Sequence, residues 1–322
     1  MTREHDLQSS HWSIVLADDR APEWMAYGAL EQRRAPVQYG CLGGSATLLH
    51  LALHRAASIA PTTQILVTVL DEYRDLWEPT LWCVRPEMRF VSDKCTNPLL
   101  TSAAAILSIA RVCASRIVTI LPARCYVGHE WILRRALRQV ASELPRIPEG
   151  AATLGMVDFD DGLDEDYIVV GRGRRGRSLA VDGIARRPTA WVARHLRRQG
   201  ALVSSGIMIG YAGVFAAHIS KNWPGVSERL TTLIDRSGAA KSQCAIPKDL
   251  QRQIPPSVLK SLRWHAPTFP QPVFPVYECG WSSLTSQYAV ARIAEFVTNR
   301  TDGHQPLLIR PTTPDHGEPI GP

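Results

Sequence analysis

No apolar run in this sequence is long enough to cross a bilayer. The longest runs are short and broken by charge, whereas a spanning helix needs about 20 consecutive apolar residues. The opening residues, MTREHDLQSSHW, lack the basic, apolar and small-residue succession of a secretory leader, so a soluble cytoplasmic protein is expected. Seven cysteines, at 41, 83, 95, 113, 125, 244 and 279, form no C-x-x-C pair, which argues against a zinc knuckle and a disulfide framework. The ten histidines are dispersed without an H-E-x-x-H motif, and no G-x-S-x-G precedes a helix. Zinc-hydrolase and serine-esterase chemistry therefore have no support in the pattern. The net charge of +6 over 322 residues comes from local arginine clusters and not from a basic stripe interleaved with aromatics. A dedicated nucleic-acid partner is not expected on that footprint.

What is present is a chain that can bury a large core, with 45% hydrophobic residues. Strand-like apolar runs at WSIVLA, QILVTVL, MRFVS, RIVTILPA and ATLGMV alternate with helix-periodic stretches at ATLLHLALHRAASIA, TSAAAILSIARVCA and HEWILRRALRQVASEL. That alternation predicts an α/β fold in which helices cross back over a largely parallel sheet, a doubly wound mixed sheet of Rossmann-like kind. The expected partition is an N-terminal extension over 1–11, an α/β domain over 12–299 whose part from about 222 is small and helical, and a disordered tail over 300–322.

One motif invites a nucleotide-binding reading. YIVVGRGRRGRS, residues 167–178, carries Gly171, Gly173 and Gly176 in the spacing G-x-G-x-x-G after an apolar run. A phosphate-binding turn must open a helix. The residues after it, SLAVDGIARRP, alternate and end at Pro188, which predicts a β-hairpin with the glycines in its turn. Its arginines would lead toward Arg187.

The order and spacing of IVLADDRAPEW, RRAPVQYGCLGGSATLLHLALHRA, ILVTVLDEYRDLW, CTNPLLTSAAAILSIA, IVTILPARCYV, GIARRPTAWVARHLRRQGALVSSGIMIG and YECGWSSL resemble the sugar-1-phosphate nucleotidyltransferases, with the mannose-1-phosphate guanylyltransferases as the nearest branch. The resemblance covers roughly residues 12 to 295. It implies a nucleotide-diphospho-sugar transferase fold, GT-A-like. It also implies a reaction in which a sugar 1-phosphate attacks the α-phosphate of GTP and releases pyrophosphate, a chemistry that depends on charge neutralisation.

Carried over residue by residue, the resemblance assigns nucleotide contacts to Gln38, Asn97 and Thr101, and phosphate or sugar contacts to Arg187, Ser205, Gly206 and Trp281. The charged positions depart from the family pattern. The glycine-rich phosphate loop falls on DDRAPE, with Asp18 and Asp19 where glycines stand and Glu23 where an arginine stands. The residues alone predict a solvated turn there, with Asp18 or Asp19 capping the next segment. Val37 replaces a phosphate-facing lysine, and Arg186 replaces a sugar-binding glutamate. The two aspartate positions that hold magnesium in the family fall on Arg124 and Ser283, so no metal ligand is assigned and magnesium is implied only for an active enzyme. Cys125, beside Arg124, is expected to be a packed cysteine, and Trp281 a packed aromatic. Two functional expectations result. One is a nucleotidyltransferase-like protein with impaired catalysis. The other is a non-catalytic paralogue that binds a nucleotide such as GTP, a sugar 1-phosphate or a protein partner, either as a homo-oligomer or beside an active relative.

Overall fold

The structure is a computed structural model that describes residues 11–18, 23–25, 34–42, 46–93, 97–157, 165–175, 177–239, 242–247, 249–250 and 271–301. The chain runs β1 (His11–Leu16), β2 (Glu23–Met25), β3 (Arg34–Pro36), α1 (Leu48–Ala57), β4 (Ile65–Leu70), β5 (Arg89–Ser92), α2 (Pro98–Val112), β6 (Ile117–Pro122), β7 (Cys125–Val127), α3 (Glu130–Glu143) and β8 (Ala151–Val157). It continues through β9 (Tyr167–Arg175), β10 (Ser178–Ala185), α4 (Ala190–Arg198), β11 (Leu202–Tyr211), α5 (Ala212–Asn222), α6 (Pro224–Ala239), β12 (Cys244–Ala245), β13 (Val273–Tyr277), β14 (Trp281–Ser283) and α7 (Gln287–Thr301). Residues 1–10, the helix expected at PPSVLKSLRW, and the tail beyond 301 lie outside the described residues.

β4, with the sequence ILVTVL, is buried along its whole length. A strand with both faces covered reads as a continuous apolar run and not as an alternation. Ile14, Leu66, Val118, Ile106 and Phe215 pack on one face of the sheet with α2 and α5. Val15, Val67, Leu121, Leu49, Leu133 and Leu137 pack on the other with α1 and α3. Adjacent residues of one strand thus enter opposite cores, as the period of two requires. α2 begins where Asn97 accepts a hydrogen bond from the Leu99 N–H at 3.0 Å with Pro98 in the first turn, the preferred arrangement for a helix start.

Among the described residues, ten strands form one sheet in the order β12-β5-β4-β1-β6-β11-β8-β13-β10-β9, and two ribbons, β2–β3 and β7–β14, stand apart. β12, β5, β4, β1 and β6 are mutually parallel. β11 runs antiparallel to β6 and β8, so the sheet is mixed, with helices on both faces. From β1 the chain moves outward to β4 and β5, then returns to the other side of β1 as β6. In sheets with such a reversal the crevice that takes ligands lies at the carboxyl ends of the two strands flanking it, here β1 and β6.

Two features differ from the sequence reading. The segment after 222 supplies the helix α6, but it also returns β12 to one edge of the sheet and β13 to its interior beside β8. The hairpin over 167–185 forms, yet Gly171 and Gly173 lie inside β9 and not in the turn. A Cβ on Gly171 would collide with the Asp182 carboxylate. These two glycines of the apparent fingerprint answer to the partner strand.

Gly210, where β11 approaches β8, is closely packed. An added Cβ would stand 2.7 Å from the Ala151 Cβ, 2.8 Å from the Phe215 Cζ and 3.0 Å from the Gly150 carbonyl oxygen. Gly210→Ala is expected to cost about 1–3 kcal/mol through overpacking. Urea denaturation would show it as a lower midpoint, and an unchanged midpoint would refute it.

Candidate functional site at the strand ends

β1 delivers Ala17 and Asp18 to the crevice. The Ala17 carbonyl accepts the Gln38 side-chain N–H at 2.9 Å and the Tyr39 hydroxyl at 2.6 Å. The Tyr39 oxygen in turn accepts the Leu70 N–H at 3.2 Å, tying the end of β4 to that of β1. Burial drives the Tyr39 phenol far above its ordinary range, so it remains a donor. Asp18 departs from the expected solvated turn, being only 1% exposed. The Thr68 hydroxyl donates to its Oδ1 at 2.6 Å. A buried carboxylate needs such donors, and β4 supplies this one because Thr68 is the polar residue of an otherwise apolar strand. Positions 19–22 of the phosphate-loop segment lie outside the described residues.

The second half of the crevice is built by the β7–β14 ribbon. Cys125 pairs with Ser283, Tyr126 with Ser282 and Val127 with Trp281, while the Leu284 N–H donates to the Arg124 carbonyl at 3.1 Å. Arg124 and Ser283, far apart in sequence, therefore stand side by side at the carboxyl end of β6. Glu165, which the sequence reading passed over, interacts with both. Its Oε1 accepts the Thr285 hydroxyl at 3.0 Å. Desolvation raises the Glu165 carboxyl to about 7, against the opposing pull of hydrogen bonds from Thr285 and Ser283 and of the Arg124 charge. Asp166, next in sequence, accepts the Arg187 backbone N–H at 3.1 Å through Oδ1, and its backbone carbonyl accepts the Ser204 N–H at 2.8 Å.

The remaining sequence-assigned residues take varied places. Arg187 is exposed and holds φ at +37°, a left-handed conformation unusual outside glycine. Ser205 is buried, its hydroxyl donating to the Leu154 carbonyl at 2.6 Å and accepting the Ile207 N–H at 3.0 Å. It sits with Gly206, whose φ is +72°, where the β11–β8 register shifts between Ser204 and Met208, the arrangement of a β-bulge. Gln38 is fully buried beside the carboxyl end of β1. Asn97 caps α2, and Thr101, in its first turn, is also fully buried. Trp281 packs in the core beneath the ribbon at 3% exposure. Cys125 is buried and its thiol is pushed up by desolvation.

The magnesium that the resemblance implies can be tested against these donors. A hard dication takes oxygen ligands, commonly one or two free carboxylates with water and phosphate. Here one expected carboxylate is a guanidinium and the other a hydroxyl, Glu165 is bonded to Thr285 and Ser283, and Asp18 is buried with the Thr68 hydroxyl on its Oδ1. Among the described residues, no group of three or more His, Cys, Asp or Glu side chains is placed to hold a metal ion. The residues present do not fit magnesium.

No protein-family model matches the sequence, and no curated protein matches it. Solved structures do match. The mannose-1-phosphate geranyltransferase from Thermus thermophilus superposes with a TM-score of 0.67 at 19% identity, over 88% of this chain and 79% of that one. The mannose-6-phosphate isomerase from Helicobacter pylori gives 0.61 at 13% identity, over 85% and 99%. A Bacillus anthracis structure assigned as a glucose-1-phosphate thymidylyltransferase, in complex with sucrose, gives 0.51 at 12% identity, over 90% and 96%. The chain shares their fold. Its large mixed sheet resembles theirs, and at these identities the likeness speaks for architecture alone. Among the described residues, no helix is long and apolar enough to cross a membrane.

Proposed function

We propose that this chain is a sugar-1-phosphate nucleotidyltransferase-like protein, closest in function to the mannose-1-phosphate guanylyltransferases. In this reading its crevice binds a nucleotide and a phosphorylated sugar but no longer transfers the nucleotidyl group at an enzymatic rate. The observation that carries the reading is the β7–β14 pairing, which brings Arg124 and Ser283 together where the resemblance calls for two aspartates. Transfer to an α-phosphate needs developing charge to be met at the leaving pyrophosphate and at the attacking oxygen. Two arginines can grip ground-state phosphates bidentately, while the buried carboxylate of Asp18 at the end of β1 opposes a polyphosphate there.

In this reading Arg187 clamps the phosphate from the exposed turn after β10. Asp166 holds that turn by its backbone, and Glu165 offers a carboxyl to sugar hydroxyls. The α/β unit over 12–299 acts as one binding body. Its role is regulatory, through the bound ligand or through an active relative.

The test is incubation with magnesium, GTP and mannose 1-phosphate, following pyrophosphate release. No release above background is expected, and robust GDP-mannose formation would sink the impaired-catalysis reading. Calorimetric titration with GTP should give saturable heat. A flat titration would redirect the function toward protein partners.

A further inference from the structure

We propose that the outward faces of α3 and α4 form a docking surface for an acidic protein segment, whose carboxylates pair with the arginines while an apolar side chain seats against Trp191. None of its residues is a crevice contact in the reading above, so the two stand or fall separately.

The two helices carry one pattern. WILRRALR over 131–138 and WVARHLRR over 191–198 both place arginines three and seven positions after a tryptophan, with Arg135 or His195 at the fourth. Steps of three, four and seven residues return to the same face of a helix. That face is open to solvent in both, with Trp131 58% and Trp191 72% exposed and the basic residues of the pattern exposed beside them. The apolar positions turn the other way. Leu133 and Leu137 of α3 and Ala193 and Leu196 of α4 enter one core cluster, so both helices lie on one side of the sheet. A single exposed tryptophan needs no explanation. The same tryptophan and arginine face on two helices is not required by packing, because these side chains stand outside the core.

The charge of this surface is not met within the helices. Among the described residues, none of Arg134, Arg135, Arg194 and Arg198 forms an ion pair. α4 holds no acidic residue, and none occurs between Asp182 and Glu228. The two glutamates of α3 are engaged elsewhere, Glu130 with Arg55 at 2.7 Å and Glu143 as acceptor of the Gln139 side-chain N–H at 3.0 Å. Like charges on successive turns repel, a cost that an anionic partner relieves, and the guanidinium fork matches a carboxylate.

Trp191 is ordered before any partner arrives. Its ring stacks on His195, 4° from parallel with centroids 6.0 Å apart, and the Arg194 Nε donates to the Ala190 carbonyl at 3.3 Å. Ordering already made is not charged to binding. With Arg198 these side chains line a depression of about 200 Å³, below the about 300–1,000 Å³ of small-molecule sites and suited to one side chain. The stacking also favours protein over nucleic acid, since His195 occupies the indole where a strand would need successive open aromatic platforms. A membrane is disfavoured because an interfacial helix buries its apolar face in lipid, and here that face is committed to the core.

The experiment is fluorescence anisotropy of a labelled glutamate-rich peptide with one central phenylalanine, titrated with the full chain. Saturable binding that weakens as salt rises is expected. Trp191→Ala should weaken it by about tenfold or more, the scale of an interface anchor. Charge reversal on either helix, Arg194→Glu with Arg198→Glu or Arg134→Glu with Arg135→Glu, should do the same by setting like charges against the peptide. Lys221→Glu with Arg229→Glu makes the same charge change on α5 and α6, which pack on the opposite core, and should leave the affinity within about twofold. Circular dichroism melts report folding of each variant. No saturable binding by the parent, tighter binding of oligothymidylate or of phosphatidylserine vesicles than of the peptide, or unchanged affinity in the folded α4 variants would overturn the docking surface. An equal loss in the Lys221 and Arg229 variant would also overturn it, by reducing the binding to net charge. Loss from α4 changes alone would overturn the part assigned to α3.

Discussion

Replacing Glu130 by alanine is expected to lower folding stability by about 3–5 kcal/mol, the scale for stripping one partner from a buried ion pair. Arg55 on α1 is 2% exposed. Its Nε and Nη2 donate to the two carboxylate oxygens of Glu130 at 3.0 and 2.7 Å, and its Nη1 to the Cys125 Sγ at 3.4 Å. Without Glu130 the guanidinium keeps only a weak sulfur acceptor among these partners. Because Glu130 is itself 41% exposed, water can enter after truncation, which favours the lower end of the range. Removing both charges together, in Arg55→Met with Glu130→Leu, should recover most of the loss, because the penalty comes from the stranded charge and not from a large favourable pair energy. Guanidinium denaturation of the parent and the two variants checks this. A single variant within about 1 kcal/mol of the parent would show that the pair is of the weak surface kind.

The contribution of His11 to stability should fall as the pH drops from about 6.5 to 4, against an opposite contribution of similar size from Glu165. The His11 ring is buried, meets the Thr119 hydroxyl at 2.6 Å, and is lowered by desolvation to about 4. In the unfolded chain it takes up a proton near 6.5. Between those values the unfolded state binds the extra proton, so the contribution is fully present above 6.5 and lost on acidification, about 3 kcal/mol over the whole window at 1.36 kcal/mol per pH unit. Glu165 acts in the opposite sense. Its folded carboxyl titrates near 7 and its ordinary value is 4.5, so the folded state holds the proton over that span and stability declines as pH rises through it. Thermal melts from pH 4 to 8 separate the two. Because the two contributions nearly cancel between about 4.5 and 6.5, His11→Asn should leave stability declining as the pH rises through that span, and Glu165→Gln should leave it falling on acidification. A parent-like slope in His11→Asn would remove the assignment.

The sheet was legible where one residue pattern had one structural meaning. The apolar runs of β1, β4, β5, β6 and β8 sit where expected, since only strands covered on both sides tolerate such runs. α3 buries Leu133, Leu137, Val140 and Ala141, a helical stripe written plainly in the sequence. β13 was hidden because VFPVY contains Pro275, and a proline argues against an interior strand. The structure accommodates it where β10 meets β13 only at Val273 and β8 carries Gly155 opposite the proline. The site was half legible. Arg124 and Ser283 could be assigned from motifs, but Glu165 sits in the acidic stretch DFDDGLDEDY, which is indistinguishable in composition from a solvated loop. Only the convergence of that loop with β14 gives the residue its surroundings. Asp18 escaped for the converse reason, because aspartates after strands are usually wet and nothing local announces Thr68 as its partner.

The position of β13 also bears on how the molecule is made. β8 is complete once residue 157 has left the ribosome, but the strand that covers its second edge spans 273–277. For the intervening stretch of synthesis, β8 has β11 on one side and an open row of backbone donors and acceptors on the other. An open apolar strand edge is a template for pairing with another chain, and contacts so distant in sequence form late. The nascent protein therefore passes through a window in which half of its sheet is built and its middle is unsealed. Closing that seam is the task of a five-residue strand near the carboxyl end, which makes the last strand to join the large sheet the one that ends its exposure to aggregation.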